Sequence, residues 1–204
     1  MRIAGLIQDS IVDGPGLRFV VFAQGCALGC EGCHNPQAQD PSGGTETDAG
    51  EIIGEMLRNP LTDGLTLTGG EPFLQAGECA KLAAAAREKG LNVWAFSGYT
   101  FEALLGMAAE DPAVTQLLRL TDVLVDGQYI AAERSLSLKW RGSRNQRLVD
   151  VPKSLEAGEA VILYAACGIQ GTTAESARRE GRNDGQGNNQ SSIGGQQGFT
   201  VTLS

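Results

Sequence analysis

The chain has 204 residues, 42% of them hydrophobic, and a formal net charge of -8. That length and apolar content suit one domain with a core of its own, and the acidic balance argues against nonspecific binding to nucleic acid or an anionic membrane. No apolar run reaches membrane-spanning length, and the opening Met1-Arg2-Ile3-Ala4-Gly5 carries no export pattern, so a reducing, cytoplasmic setting is expected.

Residues 17–23 are short, apolar and β-branched and read as a buried strand. Asp48 suits the N-cap of a helix running to about Arg58, with Ile52, Ile53, Met56 and Leu57 on one face. Residues 65–68 read as a second strand ending at Gly69-Gly70, and 77–89 as an alanine-rich helix closed by Gly90. Residues 91–96 form a third strand, 101–109 a helix, and Asp111-Pro112 opens another helix reaching about Leu120. A fourth strand covers 123–125, after which the pattern weakens, with 148–151 and 160–164 as candidate edge strands. Residues 168–204 are rich in Gly, Gln, Asn and Ser and are expected to form a disordered tail, in which only 199–203 is able to pair as a strand.

Alternating strands and helices predict an α/β domain, residues 1–167, around a parallel sheet. Cys26, Gly69-Gly70, Ser97-Gly98-Tyr99 and Asp126-Gly127 each follow a predicted strand. In such sheets the active site lies at the carboxyl ends of the strands, so four separate signals fall on one edge.

Three of the five cysteines, Cys26, Cys30 and Cys33, sit in the stretch GCALGCEGCH, spaced C-x3-C-x2-C. That spacing would also line one face of a helix, but Gly25, Gly29 and Gly32 favour a tight loop. Metal-free cysteines are a poor account of three so close in a chain sparse in cysteine. A Cys3His zinc module using His34 is a second reading, although structural zinc usually pairs ligands from two loops. Cys30-Glu31-Gly32-Cys33-His34 also fits the C-x-x-C-H of covalent haem, which would leave Cys26 unexplained. Three local thiolates suit an iron–sulfur cube with one iron left open.

The cysteine loop, with Asp13-Gly14-Pro15-Gly16-Leu17-Arg18 before it and His34-Asn35-Pro36 after it, resembles the radical S-adenosylmethionine enzymes, and among them the activating proteins of glycyl radical enzymes. Thr68-Gly69-Gly70-Glu71-Pro72 is similar to the glycine motif that holds the methionine end of S-adenosylmethionine. Ser97-Gly98-Tyr99-Thr100 and Leu124-Val125-Asp126-Gly127-Gln128-Tyr129 match strand ends of the same group. Trp140-Arg141-Gly142-Ser143-Arg144-Asn145-Gln146-Arg147 resembles a signature of the activators of anaerobic ribonucleoside-triphosphate reductase. The likeness runs from about Ile11 to about Val151.

The resemblance implies an open, partial (β/α)6 TIM-like barrel with a [4Fe-4S] cluster on Cys26, Cys30 and Cys33. S-adenosylmethionine would bind the open iron, and its reductive cleavage would yield a 5′-deoxyadenosyl radical that takes hydrogen from a glycine of the reductase. Gly69 and Gly70 would approach the amino acid end of this cofactor, Glu71 would accept from its ammonium group, and Gly32, Cys33 and His34 would pass near adenine. Asp126 would meet the ribose, a cation or an arginine, and Tyr99 would line the pocket or pack. The same resemblance implies a flavodoxin- or ferredoxin-type electron donor and no acid or base residue. Cys79 and Cys167 read as structural or incidental. Residues 134–153 hold six cations against the single carboxylate of Asp150, which suits either a solvated face or a surface that docks the reductase or binds a carboxylate. Alternatives are activation of another glycyl radical enzyme, such as a formate acetyltransferase, and a noncatalytic zinc module.

Overall fold

The computed structural model describes residues 1–163. The expectations for Cys167, for 164 in the last edge strand and for the tail at 168–204 lie outside the described residues. Seven strands form one sheet: β1 (Arg2–Ser10), β2 (Arg18–Ala23), β3 (Thr45–Glu46), β4 (Gly64–Gly69), β5 (Asn92–Phe96), β6 (Val123–Asp126) and β7 (Arg147–Asp150). Their order across the sheet is β3-β1-β2-β4-β5-β6-β7. β2, β4, β5 and β6 are mutually parallel, whereas β1, β3 and β7 pair antiparallel at the flanks.

The α/β class and the parallel centre match the sequence expectation. Six β/α repeats are not found among the described residues. Four strands are parallel; the β1–β2 connection, residues 11–17, is too short for a crossover, whereas β7 returns antiparallel after the long loop 127–146. β1 was not expected from the sequence. Most of its residues are only half-buried, and Gly5, Gln8 and Asp9 dilute the apolar signal.

Helices α1 (Ala49–Met56), α2 (Ala76–Glu88), α3 (Phe101–Glu110), α4 (Pro112–Leu120) and α5 (Val151–Ala157) complete the fold. Their starts follow capping chemistry. The Asp48 carboxylate accepts from the Gly50 N–H at 2.7 Å, Thr100 Oγ1 from the Ala103 N–H at 3.3 Å, and Asp111 from the Ala113 N–H at 2.8 Å, with Pro112 in the first turn of α4. α2 is built from small residues, so Ala80, Ala83 and Ala86 lie fully buried and the helix sits close on the sheet. Val151 was expected at the end of a strand. It opens α5 instead, because Asp150 caps the turn and Pro152 favours a helix start. In the predicted strand at 160–164, the described part makes one bridge, Ile162 to Val149. Leu57 ends α1 on the exposed side, while Ile52 and Met56 are buried.

Alternation along each strand divides the sheet into two faces. Phe19, Val21, Leu65, Leu67, Val93, Ala95, Leu124 and Val149 point to the helices and form the main core with them. Trp94, Val125 and Leu148 form a separate cluster on the other face, with Phe96 and Trp140 against it. That face also buries Arg18, whose Nε donates to Thr66 Oγ1 at 3.0 Å, Nη2 to the Leu65 carbonyl at 2.6 Å and Nη1 to Asn92 Oδ1. The guanidinium lies 5.9 Å from the Trp94 ring centre. Burial lowers its pKa to about 10, against the opposing pull of Asp63.

Candidate functional site

The site begins where β2 ends. Gln24 is buried, and its side-chain amide donates to the carbonyls of Gln37 at 3.0 Å and Asp40 at 2.6 Å. The Gly25 and Cys26 N–H groups donate to Ala38 and Gln39 at 2.8 and 2.9 Å. These bonds close a surface loop that carries all three cysteines. Gly25, Gly29 and Gly32 have φ of 97°, 58° and 69°, conformations in which a side chain is strained. Cys26, Cys30 and Cys33 are each half-buried, and the Asn35 N–H donates to Cys33 Sγ at 3.4 Å. Burial pushes the Cys26 thiol up, only partly offset by the Leu28 N–H, and Glu71 and the other two thiols add to the rise. A bound cation would reverse that balance.

A cavity of about 380 Å³ lies over the carboxyl ends of the parallel strands. The three cysteines, Gly69-Gly70, Ser97-Gly98, His34 and Tyr129 wall it, and Phe22, Thr68 and Phe96 belong to its lining from the sheet. Its size falls within the range of small-molecule sites. Gly69 (φ 101°) packs so tightly that an added methyl would stand 2.7 Å from the backbone of Ala23, and one on Gly70 would stand 2.7 Å from the Ala38 carbonyl. The turn is therefore restricted to glycine by backbone neighbours, and it presents main chain to the cavity.

The structure brings together Cys26, Cys30, Cys33, His34, Gly69 and Gly70 at this cavity. It places the other expected site residues one step back. Glu71 is fully buried, and its carboxylate accepts from the Phe73 N–H, the Ser97 hydroxyl and the Gly98 N–H. Burial raises its pKa to about 7, against the pull of those donors. Asp126 is also fully buried. It meets an arginine, accepting from Arg147 Nε at 2.9 Å and Nη2 at 2.5 Å, and from the Phe101 N–H at 2.7 Å. Tyr99 packs against the core. Gly32 stands behind Tyr129, to whose ring an added methyl would come within 3.7 Å. Cys79 is buried in α2, where desolvation raises its thiol to about 12, consistent with a structural role.

Sequence reasoning missed Tyr129, whose ring lies 4.7 Å from that of His34. It also missed the way the arginine stretch reaches the site. Gly142 and Gln146 line the cavity rather than the arginines. Gln146 Oε1 accepts from the Gly142 N–H at 2.8 Å, and its Nε2 donates to the Gly127 carbonyl at 3.0 Å. Arg147 is held cationic by Asp126 and Glu102, and Lys153 pairs with Asp150. Arg134, Lys139 and Arg144 have no ion pair among the described residues. The Gln146 bond to Gly127 spans 19 residues, and no local pattern announces it.

Among the described residues, no three His, Cys, Asp or Glu side chains converge tightly enough for one metal ion. Three thiols spread around one cavity suit instead a multi-iron cluster, whose ligands attach to different irons. Strand-end thiols facing a glycine turn thus define an iron–sulfur site on an α/β sheet. A family model described as a 4Fe-4S single cluster domain matches residues 12–149. A Vibrio cholerae protein named anaerobic ribonucleoside-triphosphate reductase-activating protein is 35% identical over 144 residues, covering 67% of this chain and 89% of that protein. One of the same name from Enterobacteria phage T4 is 36% identical over 146 residues, covering 67% of this chain and 86% of that protein. A Listeria monocytogenes pyruvate formate-lyase-activating enzyme is 31% identical over 171 residues, covering 79% of this chain and 66% of that protein. The chain belongs to the 4Fe-4S single cluster domain family, among the radical S-adenosylmethionine activating enzymes.

Proposed function

We propose that this chain generates a glycyl radical on an anaerobic ribonucleoside-triphosphate reductase, with residues 1–167 as the domain that does so. The observation that carries the reading is one cavity walled by Cys26, Cys30, Cys33 and the Gly69-Gly70 turn at the carboxyl ends of parallel strands. The relatives from Vibrio cholerae and phage T4 bear that reductase in their names.

Cys26, Cys30 and Cys33 would hold a [4Fe-4S] cluster, since three half-buried thiols line one cavity and no fourth cysteine among the described residues does. When bound and reduced, the cluster would supply the electron for reductive cleavage of S-adenosylmethionine. The bare backbone of Gly69 and Gly70 receives the amino acid end of that ligand. His34 and Tyr129 form the wall beside Gly32 and Cys33, where adenine lies. Phe22 and Phe96 line the cavity from the sheet and would help exclude water from it. Glu71, Tyr99 and Asp126 serve from behind this wall. The open sheet is the wall of a partial, TIM-like barrel, the electron donor is a flavodoxin- or ferredoxin-type protein, and the setting is cytoplasmic. No helix among the described residues is long and apolar enough to cross a membrane.

Anaerobic reconstitution with iron and sulfide, followed by dithionite and S-adenosylmethionine, tests the reading through formation of 5′-deoxyadenosine. Electron paramagnetic resonance then identifies the glycyl radical partner. The Listeria relative favours a second reading, activation of a formate acetyltransferase. A glycyl signal on that enzyme and none on the reductase would select it.

A further inference from the structure

Glu71 follows the glycine turn, yet it is fully buried and does not line the cavity. Three donors, the Phe73 and Gly98 N–H groups and the Ser97 hydroxyl, converge on its carboxylate. Oε1 takes the Phe73 N–H at 3.1 Å and shares the Ser97 hydroxyl at 3.0 Å. Oε2 takes the Gly98 N–H at 2.9 Å and lies 3.0 Å from the same hydroxyl, whose single proton the two oxygens share. Three protein donors hold the carboxylate inside the fold, and its full burial away from the cavity lining keeps it from an ammonium group there.

The same residue reaches the cysteine loop at two points. At the base of the loop, the Glu71 N–H donates to the Gly25 carbonyl at 2.9 Å, one residue before Cys26. At the tip lies Leu28, between Cys26 and Cys30. Leu28 fills the space beside Gly98 so closely that a methyl there would overlap its Cδ1. Gln128 Nε2 donates to the Leu28 carbonyl at 3.0 Å from the other side. The Gly98 backbone against which the tip rests is the one the Glu71 carboxylate holds. The ends of β2, β4 and β5 therefore meet at one residue, β2 through its main-chain N–H and β5 through its carboxylate.

We infer that Glu71 is a positioning residue, whose carboxylate holds the Gly98 backbone against Leu28 at the tip of the cysteine loop while its main-chain N–H ties the base at Gly25, and which contacts no ligand. The inference rests on the proposed function and deepens it. Glu71→Gln is the informative change, because its amide nitrogen places a donor against the Phe73 or Gly98 N–H, and Gly98→Ala perturbs the same contact from the other partner.

Two measurements test the assignment. In metal-free protein, hydrogen exchange is followed at the Gly98 amide and across residues 26–33. Glu71→Gln is expected to speed exchange at both places, by roughly tenfold for the loss of one buried hydrogen bond. In reconstituted protein, affinity is measured for S-adenosylmethionine and for its analogue lacking the α-amino group. Glu71→Gln weakens both by the same factor, and its effect is non-additive with that of Leu28→Ala, as expected for groups acting through one contact. A loss confined to the amino-bearing compound, additive effects, or unchanged exchange across 26–33 would overturn the inference. Should Glu71→Gln fail to fold, Gly98→Ala is put through both measurements with the same outcomes. Wild-type protein that hosts no cluster would sink the proposed function and leave the metal-free exchange result standing.

Discussion

The two faces of the sheet differ in what their residues do. On the helix side, alternate positions of β2, β4, β5 and β6 are Phe, Val, Leu and Ala, packed at under 2% exposure against five helices. On the other side, the same strands carry Arg18, Thr66, Thr68, Trp94 and Phe96, and the cavity opens over their carboxyl ends. Within β4 the two roles alternate residue by residue: Leu65 and Leu67 serve the core, while Thr66 anchors the Asp13 loop, donating to the Asp13 carbonyl at 2.8 Å. A period of two thus lets one strand supply stability and site at once.

The sharpest way to separate the faces is Cys30→Ala. Formation of 5′-deoxyadenosine is expected to be abolished and iron content to fall, whereas the urea midpoint of the metal-free protein stays within error, because Cys30 is half-exposed and outside the core. A large drop in that midpoint would break the division. Leu82→Ala attacks the opposite side. Leu82 is 1% exposed in α2, and its truncation should cost about 2–5 kcal/mol, read by denaturant unfolding, while iron per folded molecule is unchanged. Arg18→Leu probes the polar face below the cavity. It strands Thr66, Asn92 and the Leu65 carbonyl, so a loss of about 1–3 kcal/mol is expected, with faster exchange in the 11–16 loop. A neutral outcome would mean that the Arg18 hydrogen bonds only offset the cost of burying its charge.

The smallest effect concerns pH. The Arg147 guanidinium holds the Glu102 carboxyl down at about 2, below its ordinary 4.5. A depressed carboxyl contributes stability that is fully present above pH 4.5 and is lost as pH falls toward 2. Glu102 is largely exposed, so the contribution is under about 1 kcal/mol after solvent screening. Glu102→Gln should flatten the acid limb of stability between pH 4.5 and 2 by that amount and leave neutral pH activity intact. A steeper loss would make the Asp126–Arg147–Glu102 cluster part of the site's support.

Central strands and helices were legible because their signals are local. The apolar run of 17–23, the Asp48, Thr100 and Asp111 caps and the Gly90 stop act over a few residues. β1 and α5 were not, since β1 is a half-buried strand whose pairing with β2 supplies the missing order, and Val151 suits a strand until Asp150 and Pro152 are read together as a helix start.

At the site, residue types alone marked the spacing of Cys26, Cys30 and Cys33, the glycine turn and the strand ends on which they stand, because metal ligation and close backbone approach demand particular side chains at short range. Tertiary structure decided which of the neighbours face the cavity. Glu71 and Asp126 turned inward to meet Gly98 and Arg147, while Tyr129, Gly142 and Gln146 came forward. A buried carboxylate goes wherever donors can repay its lost water, and those donors lie 21 to 27 residues away along the chain, beyond the reach of any local pattern.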